Sequence, residues 1–318
     1  MPKYRISDVS LDIAAPEWAL HDNLESFLWD TGDTETRDTE TRDTDVYCEI
    51  IFKKRPTIPG DEAQIMAKTP GTTIYKFHDD IHNLSGDDKD IPSYTVAAKN
   101  WSCHTMLVDP DYNNPNDHEI ARSVRDGLFA ALRSVLISAL AQKRGLIIHS
   151  CTILWQGEGV MFSAPSGIGK STHAHLWQQL YKTPILDGDA TACRMVQGVP
   201  IVYGLPWCGT SGEFINQRVP LGAIVFLQQA NENRIEKLDL SEATLRLTAR
   251  CFLLPWTHEL MNQFLDTVQE IAENVDCYLL NCRPDSDAVE LVKTCLEMKK
   301  LEMKKLKIIK KLEMKKCP

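Results

Sequence analysis

The sequence predicts an α/β fold, a glycine-loop domain preceded by a β-rich N-terminal domain, and three stretches carry that reading. In residues 160–177, VMFSAPSGIGKSTHAHLW, an apolar run feeds a glycine-rich turn that opens into a helix. Residues 1–116 break into short apolar runs, YRISDVSLDI, VYCEIIF, TTIYKF, SYTVAA and HTMLVD, separated by Asp, Asn, Gly and Pro as strands are. From His118 to Gly145 the spacing turns helical, with Ile120, Val124, Leu128, Leu132, Val135 and Ala139 on one stripe, Asp117 as N-cap and Gly145 expected just past the end.

The turn APSGIGKS has the composition of a phosphate cradle. Its glycines let backbone N–H groups face phosphate oxygens, and the helix that follows adds its positive N-terminal end. Lys170 can reach β- and γ-phosphates, and the Ser171 hydroxyl can bind Mg²⁺. Ser166, Gly167, Ile168, Gly169, Lys170, Ser171 and Thr172 are the residues expected to hold the nucleotide, read as ATP with Mg²⁺. Ala164 stands where the pattern GxxxxGK[ST] has its first glycine, so the outer turn must form without positive φ there.

Before this loop, LIIHSCTIL and VMFSA flank QGEG as a β-hairpin that delivers the second strand to the cradle. After it, a helix from Lys170 to about Tyr181 stops before Thr183-Pro184. ILDGDATACRM then reads as one buried strand presenting Asp187 and Asp189. Carboxylates at a strand end beside a phosphate loop can hold Mg²⁺ or take the proton of an attacking hydroxyl. Further on, Arg218-Val-Pro with LGAIVFLQQ reads as a strand, and SEATLRLTARCFLLPW begins a helical stretch. Arg194, Arg218 and Arg250 are candidates to clamp a phosphoryl group, and Trp207, Phe252 and Trp256 are aromatics for a pocket or a core.

The net charge of −9 is uneven. Residues 296–318, with LEMKK repeated three times, carry nine Lys and three Glu, +6, which leaves −15 on residues 1–295. An acidic body argues against nucleic acid as the main partner. The basic tail reads as a solvated helical extension that could be removed without loss of folding. The repeat DTETRDTETRDTD, residues 33–45, is too polar to bury and reads as a loop. No run approaches eighteen apolar residues and the N-terminus lacks signal-peptide features, so no membrane insertion and a cytoplasmic location are expected. The ten cysteines show no metal-site spacing. Cys208, in GLPWCGTSGE, is the one whose surroundings could suit reactivity, although a structural role is favoured.

The stretch from His149 to Asp189 resembles the catalytic core of the HPr kinase/phosphorylase family, a P-loop fold shared with phosphoenolpyruvate carboxykinases. His149 stands twenty-one residues before Lys170 and GIGKS is retained. The run IHSCTILWQGEGVMFSAPSGIGKSTHAHLW, with YGLPWCGTSGE and VPLGAIVFLQQ, is similar to the related kinases of peptide-biosynthesis clusters, including those acting on lasso-peptide precursors. The resemblance implies catalytic roles for Asp189, Asp187 and His149, with Ser171 and Asp189 at the metal. The family's Asp pair is here DGD, so which aspartate is base and which meets the metal stays open. The family's RGxGIIDV segment is replaced by GLPWCGTSGE, which implies a substrate other than HPr. The expectation is an ATP-dependent phosphotransferase acting on a Ser/Thr hydroxyl of a peptide or protein. A small-molecule kinase and a nucleotide-binding regulatory module are the alternatives, and a homo-oligomer is left open. The expected divisions are 1–116, a connecting helix at 117–145, a kinase domain at 146–295 and a tail at 296–318.

Overall fold

A computed structural model of the chain describes residues 2–29, 44–57, 62–69 and 71–314, with side chains of the last helix described through residue 301 and at 305. The DTETR repeat lies largely outside the described residues, as does the end of the tail.

The first sheet has eight strands: β1 (Lys3–Ile6), β2 (Val9–Ala14), β3 (Val46–Phe52), β4 (Gln64–Thr69), β5 (Thr72–Phe77), β6 (Asp80–Ser85), β7 (Tyr94–Ala97) and β8 (Cys103–Val108). They are ordered β1-β2-β3-β8-β7-β6-β5-β4. The run YRISDVSLDI is two strands rather than one, because Ser7 and Asp8 take φ of 55° and 57° and close a two-residue hairpin. The strands β4 and β6, absent from the sequence reading, are polar and largely half-exposed, and show no clean apolar alternation to read.

Helix α1 (His118–Gln142) begins where Asp117 accepts the backbone N–H groups of Glu119 and Ile120. It ends sooner than expected. Arg144 supplies the left-handed turn with φ 53°, and Gly145 already belongs to the next strand, where a Cβ would sit 2.6 Å from Arg194 Cγ.

The second sheet is built on two long strands, β9 (Gly145–Trp155) and β14 (Arg218–Gln229), with β10 (Glu158–Ser163), β11 (Ile185–Asp187), β12 (Ala190–Val196) and β13 (Val199–Tyr203) between them in sequence. After β14 come β15 (Arg234–Lys237), β16 (Cys251–Phe252) and β17 (Cys277–Cys282). Each long strand changes neighbour halfway. β9 pairs β12 with its first half and β10 with its second, and β14 pairs β13, then β10 and β17. Pairing therefore closes in a ring, β10-β9-β12-β13-β14 and back to β10. Helix α2 (Lys170–Tyr181) follows β10, α3 (Leu240–Thr248) and α4 (His258–Asn274) follow β15, and α5 (Ser286–Met314) closes the described chain.

The apolar side chains of the first sheet do not form a core alone. Tyr4, Ile6, Leu11, Ile13, Val46 and Met106 share one cluster with Val124, Leu128, Leu132 and Leu136 of α1, with Ala190, Ala192 and Tyr203 of the second sheet, and with Leu205 and Trp207 of the loop after β13. Helix α1 is thus a shared core layer. Fully burying one such leucine is worth about 1.5–3 kcal/mol, so the shared layer dominates the attachment of the two sheets. The hairpin turn adds a polar clasp. Asp8 accepts from Tyr203 Oη at 2.7 Å and pairs with Arg218 at 2.5 Å, while Arg194 Nη1 donates to the Ser7 carbonyl at 2.8 Å.

The tail expected from residue 296 is the second half of α5, continuous with its first. Leu296 is buried, Lys299 donates to the Gly222 carbonyl at 2.9 Å and pairs with Asp276 at 2.8 Å, and Lys300 pairs with Glu158 at 2.9 Å. The near end of this segment is therefore packed structure, because its lysines find specific acceptors. No helix among the described residues is long and apolar enough to cross a membrane.

Candidate active site

Strand β10 runs out at Ser163, the chain turns through Ala164 to Gly169, and α2 starts at Lys170. Gly167 has φ 80° and Gly169, the N-cap, has φ 115°, a region that side chains rarely adopt. A Cβ on either would meet nothing within 4 Å, so the loop opens onto free space as a cradle must. Ser166 and Ile168 lie between these glycines, and Ser171 and Thr172 occupy the first turn of α2. Beside the loop is a cleft of about 540 Å³, lined by Gly167, Gly169, Thr172, Gln229, Asn231 and Arg283.

Lys170 folds back over the loop. Its Nζ donates to the Ala164 carbonyl at 3.3 Å and lies 3.0 Å from His149 Nε2. The same Nε2 is 3.5 Å from Asp189 Oδ1. One ring nitrogen cannot accept from Lys170 and donate to Asp189 at once, so His149 sits where a proton can be passed between the two. Burial pulls the Lys170 ammonium below its ordinary value while the Asp189 charge pulls it back. A hydrogen bond from His149 outweighs burial at Asp189 and, with the charges of His149, Lys170 and Arg133, holds its carboxyl low.

The segment DGD does not end one strand. Asp187 closes β11, Gly188 turns, and Asp189 precedes β12, both short strands pairing with β9. The two carboxylates consequently live differently. Asp187 is fully buried, with Oδ1 accepting from the N–H groups of Asp189 and Ala190 at 3.0 and 2.9 Å and Oδ2 from Leu205 at 2.8 Å. Burial pushes it up to about 8, against those three donors. Asp189 is partly exposed and faces His149. Such opposed environments are how two neighbouring carboxyls take different roles. Gly188 is required by space: a Cβ there would sit 2.2 Å from Ser211 Oγ.

GLPWCGTSGE lies against this turn. The Gly188 N–H donates to the Glu213 carbonyl at 3.0 Å, and the Glu213 carboxylate meets His175 Nε2 of α2 at 2.8 Å. Cys208 is buried with its thiol pushed up by desolvation, which makes it structural. Of the arginines named from sequence, Arg194 and Arg218 are committed to the hairpin clasp, away from the loop. Only Arg250 flanks the site, its carbonyl accepting the His149 N–H at 2.8 Å. Trp207 stacks on Phe129 and Trp256 meets Trp101 in a separate cluster, so both pack, whereas Phe252 lies 6.2 Å from the His149 ring.

Sequence reasoning missed Arg133, Glu213 and His175. Arg133 lies on α1, its guanidinium 4.8 Å over the Phe252 ring, and its charge acts on Asp189. It is one of three arginines on α1 and gave no signal, because nothing in its spacing ties it to the loop. The described residues contain no group of three or more His, Cys, Asp or Glu side chains that could cage a metal.

A family model described as SynChlorMet cassette protein ScmC matches residues 127–290, just over half of the chain, from within α1 to the start of α5. No curated protein matches. Among solved structures, the Hpr(Ser) kinase/phosphatase from Coxiella burnetii is similar over 52% of this chain and 97% of its own, with 11% identity and a TM-score of 0.33.

Proposed function

The chain belongs to the SynChlorMet cassette protein ScmC family, and from that premise and the geometry of the cleft we propose that it transfers the terminal phosphoryl group of ATP to a serine or threonine hydroxyl of a peptide or protein. The observation that supports this best is the line Lys170, His149, Asp189 at the mouth of an open glycine loop. The residues present fit the nucleotide: two left-handed glycines facing open space, a helix N-terminus and an adjoining cleft of about 540 Å³.

When bound, Mg²⁺ and ATP supply the phosphoryl donor and neutralise part of its charge. Ser171 and Asp189 would hold the metal, and the loop N–H groups with Lys170 would hold the phosphates. Asp189, an anion at neutral pH, orients the acceptor hydroxyl and takes its proton, and His149 beside it can accept that proton in turn. The acceptor oxygen bonds to the γ-phosphorus as the bond to the β-phosphate oxygen breaks, so ADP leaves and one proton is released. Asp187, walled in by three N–H donors, instead fixes the turn that aims Asp189.

The peptide class this proposal names is a ribosomally made precursor of the lasso type, on the similarity of residues 148–177 to kinases of such clusters. The test is incubation with labelled ATP and either a peptide fraction or a metabolite pool from the source cells. Label on serine or threonine of a peptide supports the reading. Label in metabolites alone overturns it in favour of a small-molecule kinase, and label in neither, with ATP still bound, makes the chain a regulatory nucleotide-binding module.

A further inference from the structure

Two guanidinium groups, those of Arg133 and Arg250, lie near this line. The register of β16 on β9, Cys251 with Ile148 and Phe252 with Ile147, sets Arg250 opposite His149. The Arg250 carbonyl accepts the His149 N–H at 2.8 Å, and the Arg250 charge acts on Lys170. Arg133 reaches the same place from α1, lying over Phe252, whose ring neighbours His149. Neither arginine has an ion-pair partner within 4.0 Å among the described residues. Among the other half-buried arginines, Arg194 is held by Ser7 and Arg246 by Glu242, while Arg125 of α1, like Arg133, has no ion pair among the described residues.

Around His149, then, Lys170, Arg133 and Arg250 face one accessible carboxylate, Asp189. The cleft beside the loop is lined by neither arginine, nor by Lys170, His149 or Asp189, and its lining cation Arg283 pairs with Asp285 at 2.9 Å. Arg133 acts through its charge on Asp189 and Arg250 on Lys170, so both stand beside the residues that would handle the acceptor hydroxyl.

We propose that Arg133 and Arg250 form a subsite for a carboxylate carried by the acceptor next to its hydroxyl. A planar guanidinium matches a carboxylate with two parallel hydrogen bonds, and a pair of them offsets the buried charge. The inference rests on the phosphotransfer reading above, and it specifies the acceptor. The carboxylate can come from an acidic side chain adjoining the serine or threonine, or from a peptide C-terminus at that residue.

The test is equilibrium binding to the full chain, with and without Mg²⁺ and a non-hydrolysable ATP analogue. The probes are short serine peptides with Glu or Gln beside the serine, and peptides ending in serine with a free or amidated C-terminus. Peptides with a carboxylate should bind about tenfold or more tightly than their amides. The arm that shows the preference names the source. Arg133→Gln should erase the preference and leave analogue affinity within about twofold, and Arg133→Lys, which keeps the charge on a flexible stem without the fork, should restore part of it. Equal binding of charged and amide peptides, or binding of none, overturns the proposal. So does an Arg133→Gln variant that loses nucleotide affinity as much as peptide affinity, since the arginine would then serve the donor. Failure of the analogue to bind the parent chain would sink the kinase reading separately, because the peptide arm is also read without it.

Discussion

The two ends of the second sheet carry cavities of the same volume, about 540 Å³ each, and they differ in what their charges do. At the end away from the loop, Asp276 takes Lys237 at 2.6 Å and Lys299 at 2.8 Å, and Glu158 takes Lys300 at 2.9 Å, so the charges are closed on one another. At the loop end the lining cation Arg283 pairs with Asp285 at 2.9 Å, but beside the cleft Lys170 leans on a carbonyl and an imidazole, and Arg133 and Arg250 have no ion-pair partner among the described residues. Size therefore does not distinguish a ligand site from a structural gap here. A charge held out of full solvent without a partner is costly, and it persists where a ligand completes it.

The largest expected difference between the ends is in transfer. Lys170→Ala should weaken Mg-ATP binding by about ten- to a hundredfold in calorimetry, since it removes a charge-assisted contact. Asp189→Asn should leave that binding largely intact while lowering phosphate transfer by roughly a thousandfold, about 4 kcal/mol of barrier. Unchanged turnover in Asp189→Asn would remove this carboxylate from the mechanism.

At the other end, changes should cost stability and spare chemistry. Ending the chain after Cys295 deletes buried Leu296, Lys299, one of the two partners of Asp276, and Lys300, the partner of Glu158. It should lower unfolding free energy by about 2–3 kcal/mol in denaturant titrations, with ATP affinity kept by the protein that remains folded. Full retention of stability would show that the packed lysines and Leu296 hold nothing.

Asp187→Asn sharpens the comparison within the site, because this carboxylate is paired as fully as those at the far end. An asparagine must turn an NH₂ toward a backbone donor, which should cost about 1–3 kcal/mol of stability. Loss of transfer with unaltered stability would instead make Asp187 chemical.

The smallest effect is one of pH. Burial would raise Asp276, but hydrogen bonds from Lys237 and Lys299 outweigh it and hold the carboxyl below 3.8. A depressed carboxyl stabilises the fold above its unfolded value, and that contribution is lost as pH falls through the folded one. Between pH 5 and pH 3, in roughly the range where carboxylates protonate, Asp276→Asn should lose slightly less stability than the parent, by under about 1 kcal/mol. An equal loss in both would mean the pair contributes nothing.

Much of the loop end was legible in sequence because its signal is local. GIGKS between an apolar run and a helix fixes strand, turn and helix within eighteen residues, and α2 spans Lys170–Tyr181 as the Thr183-Pro184 stop implies. The spacing of His149 to Lys170 comes from a hairpin, also local, and the structure sets the two 3.0 Å apart. What escaped depends on distant partners. Arg133 matters only because β16 brings Phe252 under it, over a hundred residues later in the chain. DGD reads as one strand because both flanks are apolar, yet Asp187 is drawn into three N–H groups, one from Leu205. The basic segment looked detachable because its repeat shows no single apolar face, while Lys299 and Lys300 are held by polar partners that periodicity does not report.

The shared core has a consequence for how this chain is made. The first sheet leaves the ribosome early, but the cluster that covers its apolar face includes Leu205 and Trp207. Until synthesis has passed that point, Ile6, Leu11, Val46 and Met106 lack part of their final cover. The nascent sheet must wait with greasy surface and sheet edges open to other chains, a state prone to clumping. Slower translation before Trp207 should prolong this exposure, and yield in cells should depend on chaperone supply more than the final stability suggests.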